Sequence, residues 1–101
     1  MAGFFQIIEF KTSQIDEIKA MGEKFRDMRQ SEGDTSVVRG TVAEDRDRPG
    51  TYLNIVEFES YEKAMANSER PDTQEFSARM MELCDGPPKF YNLDVKQVWQ
   101  V

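Results

Sequence analysis

Hydrophobic and polar positions along the chain predict four β-strands. The first, Phe4–Lys11, is rich in aromatic and β-branched residues and too short for a typical helix. Gly40 lies inside the second strand, where an isolated glycine is typical of a β-bulge. A charged turn at Asp45–Gly50, closed by proline and glycine, joins the second strand to the third. The other three predicted strands are Thr35–Glu44, Thr51–Glu59 and Lys89–Val101.

The segment between the first and second strands has the pattern of an amphipathic helix. Its apolar residues recur at spacings of three and four, which places them on one buried stripe. Ser13 precedes this pattern and is predicted to cap the helix, and Gly33 is predicted to end it. The stripe consists of Ile15, Ile18, Met21, Phe25 and Met28.

A second helical segment follows the third strand, and its pattern is interrupted once. Ser60 is predicted to cap it. Pro71 disfavours helical geometry at Arg70, so we expect a break near residues 68–71. Asp72 is then the predicted cap of the restarted helix, with Glu75 as its capping-box partner. Pro71 at the first position of the restarted helix is the other interpretation.

The order β-α-β-β-α-β over residues 1–101 predicts a single α+β domain of ferredoxin-like type. In this arrangement the third and fourth strands flank the first in a four-stranded antiparallel sheet, and both crossover helices lie on one face. Large apolar residues nevertheless occupy both faces of the first, third and fourth strands. The two helices cover only one face, so a second copy of the chain is the simplest way to bury the other. We therefore expect a homodimer. Scattered exposed aromatic residues are the alternative explanation.

Composition and charge exclude several kinds of chemistry. The chain has no histidine, which rules out a Ser–His–Asp triad, a His-ligated zinc and an imidazole base. The only cysteine, Cys84, fits a reducing compartment, and we expect a cytoplasmic protein with no metal site. A net charge of −6 disfavours nucleic acid and anionic membranes as partners. No apolar run is long enough to span a membrane.

The element order over nearly the whole chain resembles the dimeric α/β-barrel superfamily, which includes the antibiotic biosynthesis monooxygenases. The strand motif Ile55-Val-Glu-Phe, followed by a helix with Tyr61 and Ala64-Met65, is part of this resemblance. It implies a dimeric α/β barrel. It also implies cofactor-free oxygenation of activated phenolic or quinol substrates. The haem-degrading branch needs a histidine ligand, so the missing histidine argues against that branch.

Two further segments resemble a group of small bacterial proteins to which no activity is attached. They are Asn67–Phe76 and Leu83–Pro88, the latter followed by Asn92-Leu-Asp94. This second resemblance therefore implies no activity, substrate or cofactor beyond those that the first implies.

Three mid-strand amides are the first candidate ligand-binding residues. Gln6, Asn54 and Asn92 are each flanked, two positions away, by apolar or aromatic residues such as Tyr52. Residues two apart share a face of a strand, so the three amides are predicted to converge. Such a cluster can orient a small polar ligand or stabilise an oxyanion. Hydrogen bonding among the amides, or to a partner subunit, is the alternative.

Arg39 and Trp99 complete the set of candidates. Arg39 could bind an anionic oxygen, or form an ion pair with Glu57 or Glu59 on the neighbouring strand. Trp99 shares a predicted strand face with Tyr91, where the two could line an aromatic pocket or pack in an interface. None of these residues is assigned a catalytic role.

The sequence thus supports two functions. The first is a small-molecule-binding protein that acts as a cofactor-free, monooxygenase-like enzyme on an aromatic, polyketide-type substrate. The second is a non-catalytic dimeric binding or assembly module, which the lack of a nucleophile or acid–base pair favours.

Overall fold

The computed structural model describes residues 2–101 and has the predicted order of elements, with the second helix in two parts. The sheet is antiparallel with the strand order β2-β3-β1-β4, so the fold is ferredoxin-like, as predicted. The strands are β1 (Phe4–Lys11), β2 (Val37–Glu44), β3 (Thr51–Phe58) and β4 (Lys89–Asp94), and the helices are α1 (Ile15–Ser31), α2 (Tyr61–Glu69) and α3 (Pro71–Glu82).

The core lies between the helices and one face of the sheet, and it is divided into two clusters. Phe4, Phe58 and Ala64 form the first cluster, at the end of the sheet where β1 begins. Phe10, Ile18 and Met80 form the second, at the opposite end of β1. Between these ends, the helix-facing residues of β1 and β3 are half-buried, and those of the edge strands β2 and β4 are exposed. The division therefore leaves a less tightly covered zone in the middle of the helix-facing side.

Strand β4 is shorter than predicted, and residues 95–101 form an irregular tail. The register places Asp94 opposite Phe4, the first residue of β1, so no residue of β1 remains to pair with the chain after Asp94. Gly3 accepts one more hydrogen bond, from the Val95 amide, at 3.1 Å. The bulge in β2 also differs from the prediction. It falls between Val37 and Arg39, whereas Gly40 pairs regularly with β3.

Two of the predicted helix caps are wrong. Helix α1 follows Gln14, which makes no side-chain cap bond, and the Gln14 amide instead donates to Thr12 Oγ1 at 2.9 Å. Helix α3 begins with Pro71 directly after Arg70, as the alternative interpretation held. Asp72 is therefore free to bind basic side chains. The Ser60 cap of α2 is confirmed, since its Oγ accepts from the Lys63 amide at 3.2 Å.

Within residues 2–101, no helix is both long and apolar enough to cross a membrane. The same residues contain no group of three or more acidic or sulfur side chains arranged to hold a metal ion.

Candidate functional site

The strand register arranges the side chains of the helix-facing side in four rows. Each row crosses the sheet from β2 through β3 and β1 to β4, because directly paired residues project to the same side. In order along β1, the rows are Val37, Phe58, Phe4 and Asp94; then Gly40, Val56, Gln6 and Asn92; then Val42, Asn54, Ile8 and Phe90; then Glu44, Tyr52 and Phe10.

The two middle rows contain all three predicted amides, which we name the amide strip: Gln6, Asn54 and Asn92. Gln6 Nε2 donates to Asn92 Oδ1 at 3.2 Å, in agreement with the prediction of hydrogen bonding within the cluster. Asn54 is half-buried and one row away, and its side chain has no hydrogen bond to any other residue of the range 2–101. Two of the three amides are thus paired with each other, and the third, Asn54, has unused donors and an unused acceptor.

The amide strip lies between the two core clusters and is open toward the β4 edge. Asn54 and Gln6, on the central strands, are half-buried, whereas Asn92 on the edge strand is exposed. Phe90 lies next to Ile8 on this edge and leaves 52% of its surface in solvent. A small molecule could therefore reach the amides from the β4 side, across an exposed aromatic ring.

Tyr52 lies next to the amide strip, in the row that also contains Phe10. Its ring stacks on Phe10, with centroids 5.7 Å apart and an interplanar angle of 24°. Burial raises the pKa of the Tyr52 hydroxyl, and the neighbouring carboxylate of Glu44 raises it further. Tyr52 is therefore a hydrogen-bond donor near neutral pH and does not act as a base.

Arg39 does not join the amides, because its strand position turns it to the opposite side of the sheet. We name that side the outer face. Arg39 Nε donates to Glu57 Oε2 at 2.7 Å, which is the ion pair that the sequence offered as one interpretation. Glu57 is only 8% exposed, and Arg39 extends into solvent. Arg39 thus neutralises Glu57 and is separated from the amide strip by the sheet.

Trp99 is also separate from the amide strip, since it lies in the tail beyond β4 and not on a strand. It is 75% exposed and borders an open cleft of about 380 Å³ on the outer face, beside Phe5 and Leu93. The predicted pairing of Trp99 with Tyr91 on one strand is therefore wrong. Tyr91 instead donates its hydroxyl to Glu9 Oε1, at 3.1 Å.

A second open cleft, of about 320 Å³, lies at the other side of the molecule between α2 and the loop after α1. Its lining contains none of the residues that the sequence singled out as ligand-binding. Its ionic side chains form ion pairs, such as Arg70 with Asp34 at 3.6 Å and Lys63 with Glu59 at 3.0 Å.

Two acidic neighbours of the strip, Glu44 and Asp94, were not among the residues predicted from the sequence. Glu44 lies in the same row as Tyr52, and Asp94 in the same row as Phe4. Their alternation with apolar residues was visible in the sequence. Placing them beside particular amides requires the register between strands, which alternation alone does not provide.

The comparisons with solved structures show which fold this is. The chain is similar to SnoaB, a cofactor-independent oxygenase from Streptomyces nogalater, with a TM-score of 0.77, 13% identity and 97% of each chain covered. It is also similar to a monooxygenase from the gene ActVA-Orf6 of Streptomyces coelicolor, in complex with nanaomycin D. That match has a TM-score of 0.76 and 17% identity, over 99% of this chain and 93% of the other.

A conserved protein from Methanosarcina mazei Go1 gives a TM-score of 0.77 at 9% identity, with 95% of each chain covered. No protein-family model matches the sequence, and neither does any curated protein. The likenesses therefore establish the fold of the antibiotic biosynthesis monooxygenase-like proteins, which the sequence resemblance implied.

Proposed function

We propose that the chain binds a small aromatic molecule at the amide strip and oxygenates it without a cofactor. The observation that carries this proposal is Asn54, a half-buried amide whose side chain has no hydrogen-bond partner within residues 2–101. The Asn54 amide atoms are not among the buried polar atoms without a partner, so solvent reaches them. An oxygen atom of a bound ligand takes the place of this water as the acceptor for the Asn54 amide group.

The surroundings of Asn54 suit a flat ligand with a polar edge. Tyr52 lies two positions before it on β3, Ile8 lies beside it on β1, and Phe90 lies beyond Ile8 on β4. Sites for small molecules typically combine such apolar walls with a few polar groups that set orientation. In this arrangement the ring system of the ligand contacts the apolar side chains, and its hydroxyl or carbonyl oxygen accepts from Asn54 Nδ2.

The proposed reaction needs no electrons from the protein. A phenolic or anthrone-type substrate loses a proton to water and becomes an electron-rich enolate, which reduces O2 directly. A CH2 group and one O2 then become a C=O group and one water molecule, so that atoms and electrons balance. The donor at Asn54 stabilises the enolate oxygen as negative charge develops there, in the way that oxyanion holes act. The two oxygenases of the same fold support this reaction class.

A binding and turnover experiment tests the proposal. Anthrone and 1,4-dihydroxynaphthalene would be titrated by calorimetry under nitrogen, and O2 uptake would then be followed in air. We expect saturable binding, and O2 uptake above the uncatalysed rate. Asn54→Leu, which removes the amide at nearly constant volume, should abolish turnover and weaken binding at least tenfold. Gln74→Leu removes an exposed amide on α3 and should change neither.

The outcomes separate the two candidate functions. Binding without O2 uptake would contradict the oxygenase and leave the non-catalytic binding module. Absence of binding for both compounds at millimolar concentration would contradict the amide strip as a binding site. Equal behaviour of Asn54→Leu and the wild type would contradict the role of Asn54.

We also propose that the functional unit is a homodimer formed through the outer face. Phe5, Ile7, Ile55 and Leu93 form an apolar zone there, and no helix of residues 2–101 covers it. An apolar sheet face of this kind is typical of an interface between identical subunits. Sedimentation at micromolar concentration should give twice the chain mass, and a monomer would contradict the proposal.

Matched arginine variants locate the interface within this face. Ile55→Arg places a charge in the apolar zone, so we expect it to yield monomers. Met81→Arg places the same charge on an exposed position of α3 and should remain dimeric. Dissociation of both variants, or of neither, would argue against the outer face as the interface.

The cytoplasm is the compartment that we propose for this protein. Cys84 is a free thiol, half-buried near the end of α3, and burial raises its pKa, so it is protonated and unreactive at neutral pH.

A further inference from the structure

The tail after β4, residues 95–101, has the composition of a strand but is not paired as one. Four of its seven residues are valine or tryptophan, the β-branched and aromatic types that favour strands. β1 has no residue left to pair with it. Val98, Trp99 and Val101 are each at least 61% exposed, and Trp99 is 75% exposed. The chain thus presents a strand-like apolar segment to solvent, which is a liability unless another surface covers it.

The tail lies beside the outer face without closing onto it. The open cleft of about 380 Å³ is lined by Phe5 and Leu93 on the sheet and by residues 95–99 of the tail, Trp99 among them. Phe5 and Leu93 also belong to the apolar zone through which we propose that the chain dimerises. The tail and this zone therefore form one continuous apolar surface with a gap in it, and side chains of a partner fill such gaps in well-packed interfaces.

The outer face by itself is small for a stable interface. The strand residues that project from it number 14, four each from β1 and β3 and three each from β2 and β4. Stable protein–protein interfaces use about 20–30 residues on each side. The seven residues of the tail bring this surface to the lower end of that range. A dimer formed through the outer face is therefore expected to include the tail.

The charges on the outer face are compatible with a second copy as the occupant. Its two acidic strand residues are paired within the chain, Glu57 with Arg39 at 2.7 Å and Glu9 with Arg48 at 3.4 Å. Two identical faces can therefore approach each other without repulsion between unpaired carboxylates. Apolar contact, and not charge, then determines what binds this surface.

We propose that the tail is part of the subunit interface and that each protomer buries its Trp99 against the outer face of a second copy. This inference rests on the proposed homodimer and specifies which residues complete its interface. In an interface between identical subunits the same surface serves both of them, so both tails are covered at once. Tryptophan is enriched among the residues that dominate the energy of interfaces, because a large ring is shielded there from water.

Fluorescence tests the burial of Trp99 directly, because it is the only tryptophan in the chain. The dimer should emit at a shorter wavelength than N-acetyltryptophanamide and be quenched weakly by acrylamide. Ile55→Arg, which we expect to be monomeric, should emit at a longer wavelength than the wild type. Its quenching constant should be at least about threefold higher, because Trp99 is 75% exposed in the single chain. Met81→Arg adds the same charge on α3 and should keep the wild-type spectrum.

Truncation of the ring tests its contribution to dimerisation. Trp99→Ala should raise the dissociation constant of the dimer, measured by sedimentation, at least about tenfold. Met81→Ala shortens an exposed side chain of α3 and should leave the constant unchanged. Both variants should retain the circular dichroism of the wild type, because both side chains are exposed in the single chain.

The outcomes distinguish this inference from the homodimer on which it rests. A dimer in which acrylamide quenches Trp99 as strongly as in Ile55→Arg would overturn the inference alone. An unchanged dissociation constant in Trp99→Ala would do the same. A monomeric wild type with accessible Trp99 would overturn the homodimer as well. Protection of Trp99 in a monomer would show that the tail folds onto its own sheet, which also contradicts the inference.

Discussion

Arg29 and Asp72 form a bidentate ion pair that joins the end of α1 to the first turn of α3. Arg29 Nε and Nη2 donate to the two carboxylate oxygens of Asp72 at 3.1 and 2.9 Å. Arg29 Nη1 also donates to Asp34 and to Asn67, at 2.9 and 2.6 Å. The guanidinium lies 4.5 Å from the centre of the Phe25 ring and is almost fully buried. One side chain thus holds together α1, the loop after it, and the break between α2 and α3.

Replacing Arg29 should destabilise the whole domain. Arg29→Met retains most of the volume but leaves Asp34 and Asp72 with only the more exposed Arg70 as a charged partner, so we expect a loss of about 2–3 kcal/mol in the free energy of unfolding. Urea denaturation followed by circular dichroism measures this loss. Arg79→Met breaks an exposed ion pair with Glu75 and should change stability by less than about 0.5 kcal/mol. Similar losses in the two variants would contradict a special role for Arg29.

The same cluster predicts how stability depends on pH. Hydrogen bonding from Arg29 lowers the pKa of Asp72, and a hydrogen bond from the Ser36 backbone amide is the main reason that the pKa of Asp34 is lowered. As pH falls, the unfolded chain therefore takes up protons before the folded one. The stabilisation is complete above a pH of about 4, the ordinary aspartate pKa, and is lost as pH falls through the lower folded values.

Thermal unfolding between pH 7 and pH 2.5 would follow this loss. In Arg29→Met the pKa of Asp72 should return toward its ordinary value, so the decline in melting temperature should be shallower than in the wild type. An equally steep decline in both proteins would show that other carboxylates control acid unfolding.

The hydroxyl of Thr12, and not that of Ser13, should stabilise the chain before α1. Thr12 Oγ1 accepts from the Gln14 amide at 2.9 Å and donates to the Leu83 carbonyl oxygen at 2.6 Å, in a buried position. Thr12→Ala should therefore lower the free energy of unfolding by about 1–3 kcal/mol. Ser13 is exposed, so Ser13→Ala should change it by less than about 0.5 kcal/mol. Chemical denaturation of both variants measures these two losses. A larger loss for Ser13→Ala than for Thr12→Ala would contradict the prediction.

Substitution by alanine should have opposite effects on stability at Gly3 and at Gly40. A Cβ on Gly3 would lie 2.6 Å from the Glu59 carbonyl oxygen, so the backbone must shift, and Gly3→Ala should cost about 1–3 kcal/mol. Gly40 has no described atom within 4 Å of the corresponding position and has no left-handed backbone. Gly40→Ala should be neutral or stabilise by up to about 1 kcal/mol. Melting temperatures of both variants test this, and a stable Gly3→Ala would be evidence against the close approach.

The sequence predicted the face that the three amides share better than it predicted the helix caps. Gln6, Asn54 and Asn92 were placed on one face from a repeat of two residues, and the structure confirms that face. The Ser13 and Asp72 caps failed because other groups compete for the same hydrogen bonds. Thr12 binds the Gln14 amide, and Arg29 binds Asp72 from 43 positions away in the chain. Local pattern contains no information about such distant partners.

The sequence by itself determined the element order, the sheet topology and the face on which each strand residue lies, because these follow from local periodicity and short connections. Only the tertiary structure decided which residues are neighbours across strands. It placed Glu44 beside Tyr52, left Asn54 without a partner, turned Arg39 to Glu57, and ended β4 at Asp94. Register and long-range ion pairs depend on how distant segments pack, and a one-residue difference in register would exchange the two faces.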